Sequence, residues 1–142
     1  MKKFIILLLV LSTGLLACKK DKVPPVVDTE NLSTENATLI VSGTLVFSTE
    51  THSGTVKVYK QQNGKYMVAL ENLNLKVNQP SFVIYLSSSE TVSTSAIKIC
   101  SVDKLSGNIF HALPANIDFS LFRYLVIQTE PLDQTIATAE LR

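Results

Sequence analysis

Residues 54–71, which read GTVKVYKQQNGKYMVALE, decide the fold. Val56 and Val58 alternate with polar side chains at period two, which is typical of a strand that buries one face. Asn63-Gly64 is a strong hairpin signal because both residues accept the positive φ of a tight turn. The apolar run after Lys65 resumes within two residues of that turn. The segment therefore predicts two antiparallel strands joined by a tight turn.

Similar short runs continue on both sides of this hairpin. Thr38 to Phe47 predicts a strand or bent strand, with Gly43 as a candidate bulge. Phe82 to Leu86 is nearly continuous in apolar residues, which suits a central strand. Residues 123–129 and 135–141 predict a closing hairpin.

Weaker strand patterns complete the count. Ala96 to Val102 predicts a strand, and Ser106-Gly107-Asn108 predicts a turn before a strand from Ile109 to Leu113. Turn signals recur about every 8–12 residues, and no segment has the periodicity of a long helix. We therefore expect an all-β domain over residues 37–142, built as an antiparallel β-sandwich or small barrel of eight to nine short strands.

The N-terminus has the three parts of a secretory signal. Lys2 and Lys3 precede an apolar run from Phe4 to Leu11, and a small residue, Ala17, stands before Cys18. The segment Leu15-Leu16-Ala17-Cys18 resembles the lipobox of bacterial lipoproteins. The resemblance implies cleavage before Cys18, lipid attachment to its sulfur, and a signal peptide over residues 1–17. An uncleaved membrane helix is the alternative, but the apolar run is shorter than the ~20 residues that a membrane span needs.

Lipidation would hold the mature chain on a membrane, because two or more acyl chains anchor a protein stably. Residues 18–36 contain Pro24-Pro25 and no apolar periodicity, which predicts a flexible tether. Lys19, rather than an aspartate, follows the cysteine. By resemblance to enterobacterial lipoproteins this favours the outer membrane over the inner membrane of the cell envelope.

Composition narrows the class of partner. Without Lys2 and Lys3 the chain keeps 11 basic and 12 acidic side chains, for a formal charge of −1. Nucleic-acid binding requires clustered positive charge, so we expect no nucleic-acid partner. The sequence contains no Gly-x-Ser-x-Gly motif and no glycine-rich phosphate loop. Glu71, Asp103 and Asp118 are isolated acids, so we expect no enzymatic activity.

A set of short motifs resembles the DM-thirteen domain, a β-rich extracellular module that accompanies DOMON domains in animals and occurs alone in bacterial lipoproteins. The motifs are Gly43-x-x-x-Phe47, His52-x-Gly54-x-Val56, Leu70-Glu71-Asn72-Leu73, Pro80-x-Phe82-Val83-Ile84-Tyr85-Leu86-Ser87, Leu105-Ser106-Gly107, Leu113-Pro114-x-x-Ile117-Asp118, Leu125-Val126-Ile127 and Ala139-x-Leu141. Their order extends over nearly the whole predicted domain. The resemblance implies the proposed electron-transfer role of that family, based on a cysteine in the penultimate strand.

This chain departs from the family at the residue that the redox role requires. Thr129 stands where the family cysteine would be. Threonine supplies no thiolate and is not a usual haem ligand. Gln79 and Ser81 also depart from the residues that the family often has around Pro80.

Cys100 is the remaining thiol if Cys18 is lipidated. In a regular strand Cys100 would share a face with Lys98, whose ammonium would lower the thiol pKa. The competing interpretation is a small apolar residue that fills space in the core. Cys100 is therefore a candidate redox residue.

Two histidines complete the candidate ligands. His52 matches a family position and could bind a metal or haem, or cap a turn. His111 follows Phe110 in a predicted strand, and we expect it to be exposed. A metal site needs three or four ligands with recognisable spacing, so we expect no metal and no bound cofactor, with haem as the alternative.

The sequence favours a lipoprotein whose β-sandwich binds an unidentified envelope or extracellular partner. A redox or electron-transfer module that uses Cys100 or His52 is the alternative. Assembly through exposed sheet edges is a third possibility.

Overall fold

A computed structural model describes residues 32–48, 52–75, 81–102, 106–130 and 132–142. These residues form nine strands and no helix. The strands are β1 (Thr38–Thr44), β2 (Val46–Phe47), β3 (Ser53–Lys60), β4 (Tyr66–Asn74), β5 (Phe82–Ser87), β6 (Ile97–Val102), β7 (Ser106–Ala112), β8 (Tyr124–Thr129) and β9 (Thr135–Glu140). The predicted signal peptide, Cys18 and most of the tether lie outside the described residues.

The strands form two antiparallel sheets. The order is β1-β3-β4-β7 in the first sheet, called sheet A, and β2-β9-β8-β5-β6 in the second, called sheet B. The sheets do not close into a barrel, so the sandwich form of the all-β prediction is confirmed. Nine strands in the described residues agree with the expected eight to nine.

The predicted hairpin is formed by β3 and β4. Val56 and Val58 are fully buried on the inner face, opposite Leu70 and Val68. Gly64 has φ 80° and donates its backbone N–H to the Gln61 carbonyl at 2.9 Å, which closes the turn. Sequence alternation and turn chemistry thus fix this part of sheet A.

The chain bends between β1 and β2, which places one continuous segment in both sheets. Leu45 lies at the bend, and its side chain is buried in the core. Gly43 is not the bulge, because the register shift of β1 lies between Leu39 and Val41. A side chain at Gly43 would overlap the carbonyl oxygen of Glu140. This glycine is therefore required by the close approach of two backbones.

The core lies between the two sheets. Its largest fully buried side chains include Phe82, Ile84 and Leu86 of β5, which pairs with β6 on one side and β8 on the other. The central position predicted for this strand is confirmed. The hairpin of β8 and β9 is also confirmed. Residues 106–108, predicted as a turn, belong instead to β7.

Candidate functional site

Cys100 lies on β6, directly opposite Ile84 of β5. The register between these strands shifts by one residue, so that Tyr85 faces Lys98 while Ile84 faces Cys100. Ile99 is the extra residue of this bulge, and both Ile99 and Cys100 pack against the core. The expectation that Cys100 shares a face with Lys98 is therefore wrong, because a bulge changes the side on which the following residues lie.

Burial controls the chemistry of this thiol. Desolvation raises the pKa of Cys100 to about 11, and the nearby Lys98 ammonium lowers it by a smaller amount. A thiol with so high a pKa is protonated at neutral pH, whereas the nucleophile in thiol chemistry is the thiolate. Cys100 thus has the environment of a partly buried apolar residue rather than that of an activated thiol.

His52 lies immediately before β3 and is half-buried. Its ring stands edge-on to Phe47, with 5.4 Å between ring centroids and an interplanar angle of 74°. This contact packs the imidazole against the end of β2. A role of His52 as a metal or haem ligand stays a prediction.

His111 is half-buried on β7, so its predicted exposure is wrong. It is opposite Val68 and shares the inner face with Ile109, which packs against the core. Burial lowers the pKa of the imidazole.

His52 lies at the end of sheet A where β7 begins, whereas His111 is near the far end of β7. Within the described ranges, no three His, Cys, Asp or Glu side chains are grouped as a metal site would require.

Thr129 is the last residue of β8, and its side chain is buried. Thr129 is 2% exposed and lies opposite Phe82. Its backbone N–H donates to the carbonyl of Gln134 at 2.9 Å, near the turn between β8 and β9. Thr129 therefore occupies a buried position in this sandwich.

An open groove lies outside the corner where β1 bends into β2. Its volume is about 530 Å³, and it is formed by β1, the start of β2, β3, and the end of β9 with the residue Arg142 that follows. The lining residues are Ser42, Gly43, Thr44, Val46, Thr55, Val56, Lys57, Glu140 and Arg142. Backbone hydrogen bonds of 2.9 Å in both directions between Ser42 and Arg142 hold the two sheets together at this corner.

The charged side chains of the groove are paired. Lys57 Nζ lies 2.7 Å from Glu71 Oε2, and this hydrogen bond raises the pKa of the lysine. Arg142 Nε donates to Glu140 Oε2 at 3.1 Å, and the guanidinium lowers the pKa of Glu140. The raised pKa of Lys57 and the lowered pKa of Glu140 keep both of these groups charged near neutral pH. The groove therefore offers hydroxyl groups and both signs of charge as hydrogen-bonding partners.

No sequence motif pointed to this groove. Its residues come from four strands and from Arg142 after β9, and their proximity depends on the bend between β1 and β2 and on the pairing of Ser42 with Arg142. The local signal was Gly43, because a glycine inside a strand marks either a bulge or the close approach of another backbone.

The described residues contain no helix long and apolar enough to cross a membrane.

Comparison of the chain with known protein families, with characterised proteins and with solved structures finds no match.

Proposed function

We propose that this chain is a lipid-anchored envelope protein whose DM-thirteen-like sandwich binds an envelope or extracellular partner without catalysing a reaction. The observation that carries the proposal is the open groove at the corner of the sandwich. Its polar side chains stand on strands, which hold hydrogen-bonding groups in fixed positions.

The electrostatics of the groove favour recognition over proton transfer. A general acid or base works best when its pKa lies near the working pH. The pKa of Lys57 is raised above, and that of Glu140 lowered below, its ordinary value. Both shifts move the pKa further away from neutral pH. Lys57 and Glu140 are therefore suited to bind charged or polar groups in their ionised forms.

The attachment part of the proposal depends on Cys18. Its thioether would carry the acyl chains, and the segment before residue 37 would connect the membrane to the domain. Lys19 supports the outer membrane as the destination.

Attachment is tested by labelling growing bacterial cells with an alkyne fatty acid. We expect the label on the natural chain and on a Cys100→Ser variant, but not on a Cys18→Ser variant. Separation of the two membranes should recover the labelled chain with the outer membrane. Label that persists in Cys18→Ser would contradict attachment at this residue.

Binding is tested with immobilised full-length protein and solubilised envelope components. Thr44→Arg places a large charged side chain in the groove. Ser101→Arg is the matched control, because Ser101 is an exposed residue on β6, away from the groove lining. We expect one component to be retained by the natural chain and the control but not by Thr44→Arg. Equal retention by both variants would overturn the role of the groove.

An absorption spectrum of the purified protein, recorded before and after the addition of haem and dithionite, distinguishes the redox alternative from the binding proposal. We expect the spectrum of added haem to stay that of haem in solution. A protein-dependent haem band that is lost in a His52→Ala variant would contradict the binding proposal and favour electron transfer.

A further inference from the structure

The described strands leave four sheet edges, and three of them carry features that hinder further pairing. β1 is tied at Ser42 to the backbone of Arg142. β2 has only two residues. β6 contains the bulge at Ile99 and the charged side chain of Lys98. Short strands, bulges and lysines are features by which proteins protect sheet edges.

The fourth edge, β7, has none of these features between Ile109 and Ala112. Ser106–Ala112 contains no lysine, arginine, acid or proline, and its side chains are exposed or half-buried. The register shift between β4 and β7 adds one extra residue to β4, so β7 itself is regular over this segment. A regular, uncharged edge strand is able to pair with another strand.

The hydrogen-bond pattern identifies the residues that would form such a pairing. Leu113 donates its backbone N–H to the Tyr66 carbonyl at 2.9 Å. Alternation along an antiparallel ladder then directs the backbone groups of His111 and Ile109 toward β4. The backbone groups of Phe110 and Ala112 are directed away from β4, toward the outer edge of sheet A.

We propose that β7 pairs with β7 of a second copy of this chain, antiparallel and centred on Phe110. In this register Phe110 exchanges a pair of backbone hydrogen bonds with Phe110 of the partner subunit. The two phenyl rings become a directly opposed cross-strand pair, which stabilises an antiparallel sheet. The two copies of sheet A become one continuous sheet across the two-fold axis.

The absence of charge in Ser106–Ala112 favours a second copy as the occupant. Two-fold pairing brings the same strand from each copy together. Any charged residue near the axis would therefore lie opposite a residue of the same charge in the second copy. Like charges directly opposite each other destabilise a sheet. A strand from a different protein would not impose this condition. This pairing involves only sheet A and depends neither on the groove nor on lipid attachment.

Disulfide crosslinking tests the register in the full-length chain. Opposed residues of a hydrogen-bonded pair have Cα atoms about 5.5 Å apart, within the range of about 4.4–6.8 Å that a disulfide spans. Phe110→Cys, in a Cys100→Ser background, should therefore give a dimer under oxidising conditions. Ala112→Cys in the same background is the matched control, since two-fold pairing about Phe110 separates these two cysteines along the strands. The background chain alone reports any link through Cys18.

A yield of crosslinked dimer that is well above that of Ala112→Cys and of the background chain, when measured for Phe110→Cys, supports the proposal. Equal crosslinking at both positions, or none at Phe110→Cys, overturns it.

Light scattering of the full-length chain in detergent provides a second measurement. We expect the protein mass to double with increasing concentration for the natural chain and for Ser101→Lys on β6, but not for Phe110→Lys. A natural chain that stays monomeric throughout, or a Phe110→Lys variant that dimerises, overturns the proposal.

Discussion

Cys100 of β6 faces Ile84 of β5 because the strand pairing skips Ile99. This relationship turns the thiol toward the core and leaves Lys98 on the other side of the sheet, where its ammonium lies 3.8 Å from Glu130. The position of one bulge thus decides whether Cys100 is an activated thiol or a packing residue.

The first prediction concerns thiol reactivity. Burial raises the pKa of Cys100 to about 11 from an ordinary value of 9.0. The thiolate fraction at pH 8 should therefore be roughly a hundredfold smaller in the folded chain. We expect iodoacetamide to modify folded Cys100 about a hundredfold more slowly than the same residue in urea. The measurement uses full-length Cys18→Ser, so that Cys100 supplies the only thiol. Equal rates in the two states would contradict a buried, protonated thiol.

The second prediction concerns the two faces of β6. Cys100→Asp places a carboxylate against the core and should lower the free energy of unfolding by about 2–4 kcal/mol. Lys98→Asp changes an exposed side chain and should cost less than about 1 kcal/mol. Urea denaturation of the two variants measures the difference. A larger loss for Lys98→Asp would mean that β6 has the regular alternation expected without the bulge.

Sequence reasoning succeeded where local patterns determine structure. The alternation of Val56 and Val58 with polar residues, and the turn at Asn63-Gly64, identified the central hairpin of sheet A. The apolar run of β5 identified a strand with neighbours on both sides. These features depend on side-chain periodicity and on backbone conformations that a short segment specifies by itself.

It failed where the structure depends on the partner strand. The bulge at Ile99 exists only relative to β5, and nothing within Ile97–Val102 marks it. The predicted exposure of His111 was wrong because Phe110 faces outward opposite Ala69, which leaves His111 on the inner face. The groove could not be predicted, since it joins residues from β1, β2, β3 and the end of β9.

The third prediction concerns the corner that forms the groove. A Cβ at Gly43 would overlap the Glu140 carbonyl, so Gly43→Ala must displace β1 from the end of β9. We expect a loss of about 1–3 kcal/mol in the free energy of unfolding, typical of overpacking. Gly64→Asn is the control. Gly64 has positive φ with no atom within 4 Å of an added Cβ, and asparagine tolerates this conformation. A loss at Gly64→Asn that equals the loss at Gly43→Ala would contradict the close-approach explanation.

The fourth prediction concerns acid stability. Burial lowers the pKa of His111 below its ordinary value of 6.5, so the folded state binds fewer protons than the unfolded state as the pH falls below that value. The neutral imidazole therefore contributes stability that is fully present above pH 6.5 and is lost as the pH falls through the folded pKa. Asp118 and Glu140 have lowered pKa values, and their contribution is lost at lower pH, below the usual carboxyl values of 3.8 and 4.5.

Thermal unfolding at pH 7.5 and pH 5 isolates the contribution of His111, because it samples the histidine range and stays above the carboxyl range. We expect the melting temperature of the natural chain to fall between these conditions. His111→Gln keeps a polar side chain of similar size without the titration, so its melting temperature should fall less. Titration of the imidazole followed by NMR should give a pKa below 6.5. An unchanged pH dependence in His111→Gln would show that another group, and not the half-buried imidazole of β7, causes the acid sensitivity.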